Sequence, residues 1–335
     1  MARLVMIFLF ATNVCFAQNR TGGFWAIDRN VKNLDAPSVD SLAKKLTAPY
    51  QTELEKTRAI FSWIAQNISY NTAIYNLGRG YRTAKYVYDP FDTVSSKSAT
   101  EQTAEKVLRR RVAVCDGYAR LFKTLCDYSG IESEIILGYG KVFLERDARF
   151  RTNHTWNAVR IDSTWHLLDV TWASGFLTFS NDFVHKLDES YFLTPPKQFI
   201  LDHYPEDLTW TLLERPPSLR EFHFSPFKYK SFVKYGIVSP TPANGTIEAN
   251  AGDTIQIELK LKNASGDRLI ASDPFFDSTV IAFSPWSVFL EPVIENNKAV
   301  YTYVVQRDVD WLHLIYNRDP VLRYKLNLKP QKSNK

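Results

Sequence analysis

The chain has 335 residues, 45% of them hydrophobic and 23% charged, with a formal charge of +5. That is a globular composition with room for two domains. The basic excess is too small and too diffuse for a nucleic-acid footprint, so no nucleic-acid partner is expected.

Residues 1–17 read as a secretory signal peptide. Arg3 supplies the positive start, Leu4 to Ala11 the apolar run, and Cys15-Phe16-Ala17 a small-x-small cleavage pattern before Gln18. The run is shorter than the roughly 20 residues a bilayer span needs, and no membrane span is expected further on. Cys15 lacks the leucine three residues earlier and the small residue directly before it that a lipid-modified cysteine requires. The mature protein is therefore expected to be secreted or periplasmic.

Ser38 to Leu46 and Glu53 to Gln66 show helical spacing, the second with Ala59, Ile60, Trp63 and Ile64 on one face. Between Tyr70 and Phe91 the chain is rich in aromatics: Tyr75, Tyr81, Tyr86 and Tyr88. This stretch is either a wall of a substrate cleft or packing beneath a long connection. Thr103 to Arg110 is a short helix.

Cys115 opens the next helix, in which Tyr118, Leu121, Phe122, Leu125 and Cys126 recur at helical spacing and Gly130 forms the C-terminal stop. A cysteine in a first turn faces unpaired backbone N–H groups and the positive end of the helix dipole, which favour a thiolate. The same N–H groups can donate to an oxyanion. Gly117 would let substrate backbone approach, and Tyr118 and Trp156 are the other candidate substrate-binding residues. Cys126 lies eleven residues on, about 16 Å along an axis rising ~1.5 Å per residue. No disulfide spans that distance, and Cys126 reads as core.

Ile131 to Phe143 is strand-like. Thr155 to Ile161 and Thr164 to Trp172 then form a hairpin across Asp162-Ser163. In that register paired residue numbers sum to 325, which puts His154 and Asp169 on one face as diagonal neighbours, within side-chain reach. A thiol needs a base, and the base needs a group to orient it. Cys115, His154 and Asp169 can fill those three parts. Tyr191 to Leu213 follows as a Pro-rich wrap of short elements.

Pro216-Pro217 and Pro240-Thr241-Pro242 mark a boundary zone. The expected layout is a catalytic domain over 18–236 and an accessory domain over 237–335. In the second, Thr254 to Leu261 alternates strictly, and Thr279 to Phe283, Ala299 to Val305, Trp311 to Tyr316 and Leu322 to Leu326 are further strands. Short strands separated by turns, such as Asn263 to Asp267, suggest a small Ig-like β-sandwich. The basic end, from Arg323 through Lys332 and Lys335, reads as a solvated tail.

No Cys-x-x-Cys, His-Glu-x-x-His, calcium loop or phosphate-binding glycine loop is present. His166, His185, His203, His223 and His313 show no ligand spacing, so no metal and no cofactor are expected. Asn67, Asn153, Asn244 and Asn263 lie in Asn-x-Ser/Thr triplets.

The segments Cys115-Asp116-Gly117-Tyr118-Ala119, His154-Thr155-Trp156-Asn157 and Asp169-Val170-Thr171-Trp172, with the upstream run Glu55 to Ile64 leading into Ile68-Ser69-Tyr70, resemble the transglutaminase-like (papain-related) cysteine superfamily. Within it they are similar to bacterial relatives of the kyphoscoliosis peptidase. The resemblance spans about residues 50–215. It implies an α+β fold, with a catalytic helix packed on an antiparallel sheet. It also implies Cys115 as nucleophile, His154 as general base and acid, and Asp169 as orienting carboxylate. Val114 stands where protein-crosslinking transglutaminases carry Gly-Gln before the cysteine, so transfer of the acyl group to water is open. Two function classes follow. One is an exported hydrolase or acyltransferase acting on protein or peptide amides, cell-wall peptide included. The other is a non-catalytic module that binds such ligands.

Overall fold

The computed structural model describes residues 23–73, 97–141, 151–178, 182–262 and 286–329. The signal-peptide reading, the aromatic stretch after Ala73, the turn at Asn263 to Asp267, the strand at Thr279 to Phe283 and the last six residues lie outside them.

In chain order the first half comprises α1 (Trp25–Val31), α2 (Val39–Thr47), α3 (Glu53–Asn67), β1 (Ser69–Tyr70), α4 (Ala99–Arg110), β2 (Val112–Ala113), α5 (Cys115–Tyr128), β3 (Ser133–Gly140), β4 (His154–Ile161), β5 (Thr164–Leu168), α6 (Val170–Ala173), β6 (Gly175–Leu177) and β7 (Phe183–His185). Then come α7 (Pro196–Phe199), β8 (His203–Pro205) and α8 (Leu219–Phe224), with short 3-10 turns at Glu189–Tyr191 and Leu208–Thr211. Reciprocal capping boxes start α3, between Thr52 and Glu55, and α4, between Ser98 and Glu101. The box at Ser98 begins α4 four residues before the Thr103 that periodicity alone suggested.

The antiparallel sheet runs β5-β4-β3-β8, and α5 lies across β3 and β4 with α2, α3 and α4 packed around it. Buried Trp63, Phe61, Leu42, Leu46, Phe122 and Leu125 form the core between helices and sheet. Trp63, Phe122 and Leu125 belong to the apolar faces that the spacing marked. The β4–β5 hairpin pairs Ile161 with Thr164 and Asn157 with Leu168, the expected register. Its two-residue turn has positive φ at both Asp162 and Ser163, as a primed turn requires. The strand ends at Leu168, short of the expected Trp172. Asp169 turns its side chain onto the backbone N–H groups of Thr171 and Trp172 and starts α6 instead.

The second half comprises β9 (Phe227–Lys228), α9 (Lys230–Lys234), β10 (Ile237–Thr241), β11 (Thr246–Ala249), β12 (Thr254–Leu261), β13 (Ser287–Leu290), β14 (Val293–Glu295), β15 (Lys298–Val304), β16 (Trp311–Tyr316) and β17 (Asp319–Leu328). Two sheets, β10-β12-β15-β14 and β11-β17-β16-β13, share one core of Leu259, Tyr301, Leu312, Leu322 and Tyr324. None of these strands enters the sheet that carries His154. Residues 227–236, assigned above to the first domain, supply part of this second core. There β9 pairs with β17, and the Phe232 side chain is buried in the same cluster.

Candidate active site

Cys115 sits at the first position of α5. Its N-cap, Val114, has no side-chain oxygen to bond the first-turn N–H groups. On β4, His154 is 6% exposed, Cys115 is 4% and Asp169 is fully buried. The His154 Nε2 lies 2.6 Å from Asp169 Oδ2. The same side chain is hydrogen-bonded to Cys115, so the imidazole links thiol and carboxylate. Trp172 stacks on the ring at 4.8 Å between centroids, with planes inclined 25°, and locks its orientation.

Asp169 accepts four hydrogen bonds. Its Oδ1 takes the N–H groups of Thr171, at 2.8 Å, and Trp172, at 3.2 Å. Its Oδ2 takes His154 and also His203 Nε2, at 3.0 Å. Burial alone raises a carboxyl pKa, but the neighbouring imidazoles outweigh it and hold Asp169 well below the usual carboxylate range. For His154, burial is likewise the largest single influence and opposes the charge. Asp169, through charge and hydrogen bond, outweighs it, Cys115 adds to the effect, and the imidazole is pushed up to about 10. Asp169 thus favours the charged form of the His154 imidazole, beside Cys115.

Asn153 anchors the strand that delivers His154. Its side chain accepts from Gly140 N at 2.7 Å and donates to Gly140 O at 3.1 Å. Asn157, on the same strand, donates to Ala119 O of α5 at 3.1 Å, which fixes the sheet against the helix carrying Cys115.

The three candidate substrate-binding residues, Gly117, Tyr118 and Trp156, are all buried. Gly117 is packed against α4 and β2: a Cβ there would lie 2.8 Å from Ala113 Cβ and 3.0 Å from Val107 Cγ2. Its bare backbone serves close helix packing. Tyr118 is fully buried and donates its hydroxyl to Ile68 O at 2.6 Å. Trp156 is 1% exposed and lies among Phe199, His154 and His203. Cys126 is buried and unbridged, and burial pushes its thiol far up.

His203 was set aside above as one of five scattered histidines. The structure brings it onto Asp169, with Nδ1 2.6 Å from Asp202 Oδ1. The only local signal was its position beside an acid, Asp202, in the wrap segment. Its partner Asp169 is 34 residues away, and only strand β8 pairing with β3 unites them. His154, Asp169 and His203 offer ligand atoms within 4.8 Å of one another. Ligand atoms on a tetrahedral zinc with bonds of about 2.0–2.1 Å would sit roughly 3.3 Å apart. The observed 2.6 and 3.0 Å separations are those of hydrogen bonds.

The family profile described as the transglutaminase-like superfamily matches residues 40–170. Kyphoscoliosis peptidase of Homo sapiens is 33% identical over 225 residues, covering 66% of this chain and 31% of that protein. Hillarin of Drosophila melanogaster is 30% identical over 234 residues, covering 64% of this chain and 26% of its own length. The chain thus spans about a third or less of these curated relatives. A solved structure of a TGase shares 18% identity, covering 54% of this chain and 38% of that one, at a TM-score of 0.28. An overlap that small says nothing of the site.

Proposed function

The chain belongs to the transglutaminase-like superfamily, and on that premise we propose that it is an exported thiol enzyme acting on peptide or isopeptide amides through Cys115, His154 and Asp169. The observation that carries the reading is the single imidazole that hydrogen-bonds both Asp169 Oδ2, at 2.6 Å, and Cys115.

In this reading the Cys115 sulfur attacks the amide carbonyl while first-turn N–H groups of α5 donate to the developing oxyanion. The C–N bond breaks as His154 gives its proton to the leaving amine, and an acyl thioester remains. Water or a substrate amine then attacks the thioester. His154 takes the incoming proton, and the thiolate is released. Asp169 keeps the imidazole oriented and stabilises its charge.

An unbiased peptide and isopeptide substrate profile of the wild type against Cys115→Ala tests this. Cleavage or acyl transfer seen only with Cys115 supports the reading. Identical profiles, together with iodoacetamide labelling Cys115 no faster than Cys126, would leave a binding module in its place.

A further inference from the structure

The buried ring of His203 has a carboxylate at each nitrogen. Nε2 is 3.0 Å from Asp169 Oδ2 and Nδ1 is 2.6 Å from Asp202 Oδ1. Asp202 is in turn held by the Tyr191 hydroxyl, which donates to its Oδ2 at 3.2 Å. We propose that His203 is a positioning residue for the thiol site, donating to Asp169 Oδ2 so that the carboxylate stays aimed at His154, with Asp202 holding His203 in turn. This rests on the reading of Cys115, His154 and Asp169 as the reacting groups.

An ionised carboxylate only accepts hydrogen bonds, so the ring nitrogen is the donor in each contact. When both bonds are made, hydrogen bonds run from Asp202 through His203 and Asp169 to His154. Each bond in such a buried chain polarises the next. Asp169 needs this support. With only the Thr171 and Trp172 N–H groups on Oδ1, its second oxygen would be set by His154 alone, the group it has to orient.

A packing role makes the opposite demands on the same position. The ring is stacked on Phe199 at 4.1 Å, with planes inclined 25°, and lies 4.3 Å from Trp172. A phenylalanine would keep those contacts and lose the donor. A glutamine would lose the stacking and keep an N–H near the Nε2 position.

The test is the rate of Cys115 alkylation by iodoacetamide at neutral pH in the full-length wild type, Asp169→Asn, His203→Phe, His203→Gln and Asp202→Asn, with thermal unfolding to confirm folding. Loss of a bond to a buried charge predicts a drop of roughly 10- to 100-fold in His203→Phe. Most of the rate should return in His203→Gln, and Asp202→Asn should fall between. A wild-type rate in His203→Phe beside a slow Asp169→Asn overturns the proposal, as does Phe outperforming Gln. Should His203→Phe not fold, a wild-type rate in Asp202→Asn overturns it. A wild-type rate in Asp169→Asn removes the triad reading, and this proposal with it.

Discussion

Asp169 gives one oxygen to the start of a helix and the other to two histidines. Asp169→Asn can preserve the helix cap, because an amide oxygen still faces Thr171 and Trp172. It then sets an NH2 group against two imidazole donors. Turnover should fall on the order of 10³- to 10⁴-fold with the fold intact, measured as kcat on any substrate found by profiling. The pH dependence follows from the same pair. His154 is raised, so the stability it contributes is full below the ordinary histidine value and is lost as pH rises through about 10. Asp169 is lowered, so its contribution is present above the ordinary carboxylate value and is lost only in strong acid. The gap in melting temperature between wild type and Asp169→Asn should therefore close as pH climbs past about 10. Cys126 is the internal control. Its thiol is buried and pushed up, so iodoacetamide should spare it until the protein unfolds, as peptide mapping would show.

The site depends on how closely β8 approaches β3. Gly138 faces Pro205 across that pair, and a Cβ there would lie 2.3 Å from Tyr204 O, 2.4 Å from Trp156 Cη2 and 2.8 Å from Pro205 Cα. Two of these are backbone atoms that cannot swing away. Gly138→Ala should therefore cost about 3 kcal/mol in urea unfolding, the upper end for overpacking. It should also slow Cys115 alkylation, because the displaced strand begins with His203. Gly117→Ala meets only side-chain carbons, of Ala113 and Val107, and gains helix propensity of up to about 1 kcal/mol. It should be the milder change in the same assay.

At the scale of the whole chain, α9 joins the two cores. Lys230 bonds Ser190 and lies 3.2 Å from the Tyr191 ring centroid on one side. On the other, Lys234 pairs with Asp319 at 3.0 Å. All residues bonded in the chain from Cys115 to Asp202 precede α9. We expect a chain ending at Ser225 to alkylate Cys115 at the full-length rate, though less stably folded. A chain ending at Tyr235 should bind a hydrophobic dye more strongly, because Phe232 loses the core that covers it. Slow alkylation in the shorter chain, with folding confirmed by circular dichroism, would mean that the second half shapes the site.

Residue order alone determined the helix start at Cys115, the helical faces, the hairpin register and the meeting of His154 with Asp169. Each rests on periodicity, capping or a two-residue turn, all of which act over a few residues. The tertiary structure decided the rest. Gly117, Tyr118 and Trp156 look like binding residues beside a nucleophile, yet their side of the helix and strand faces the core, which only packing reveals. His203 reaches Asp169 because β8 docks on β3 from far along the chain. No local pattern encodes that contact, since it arises from the sheet order.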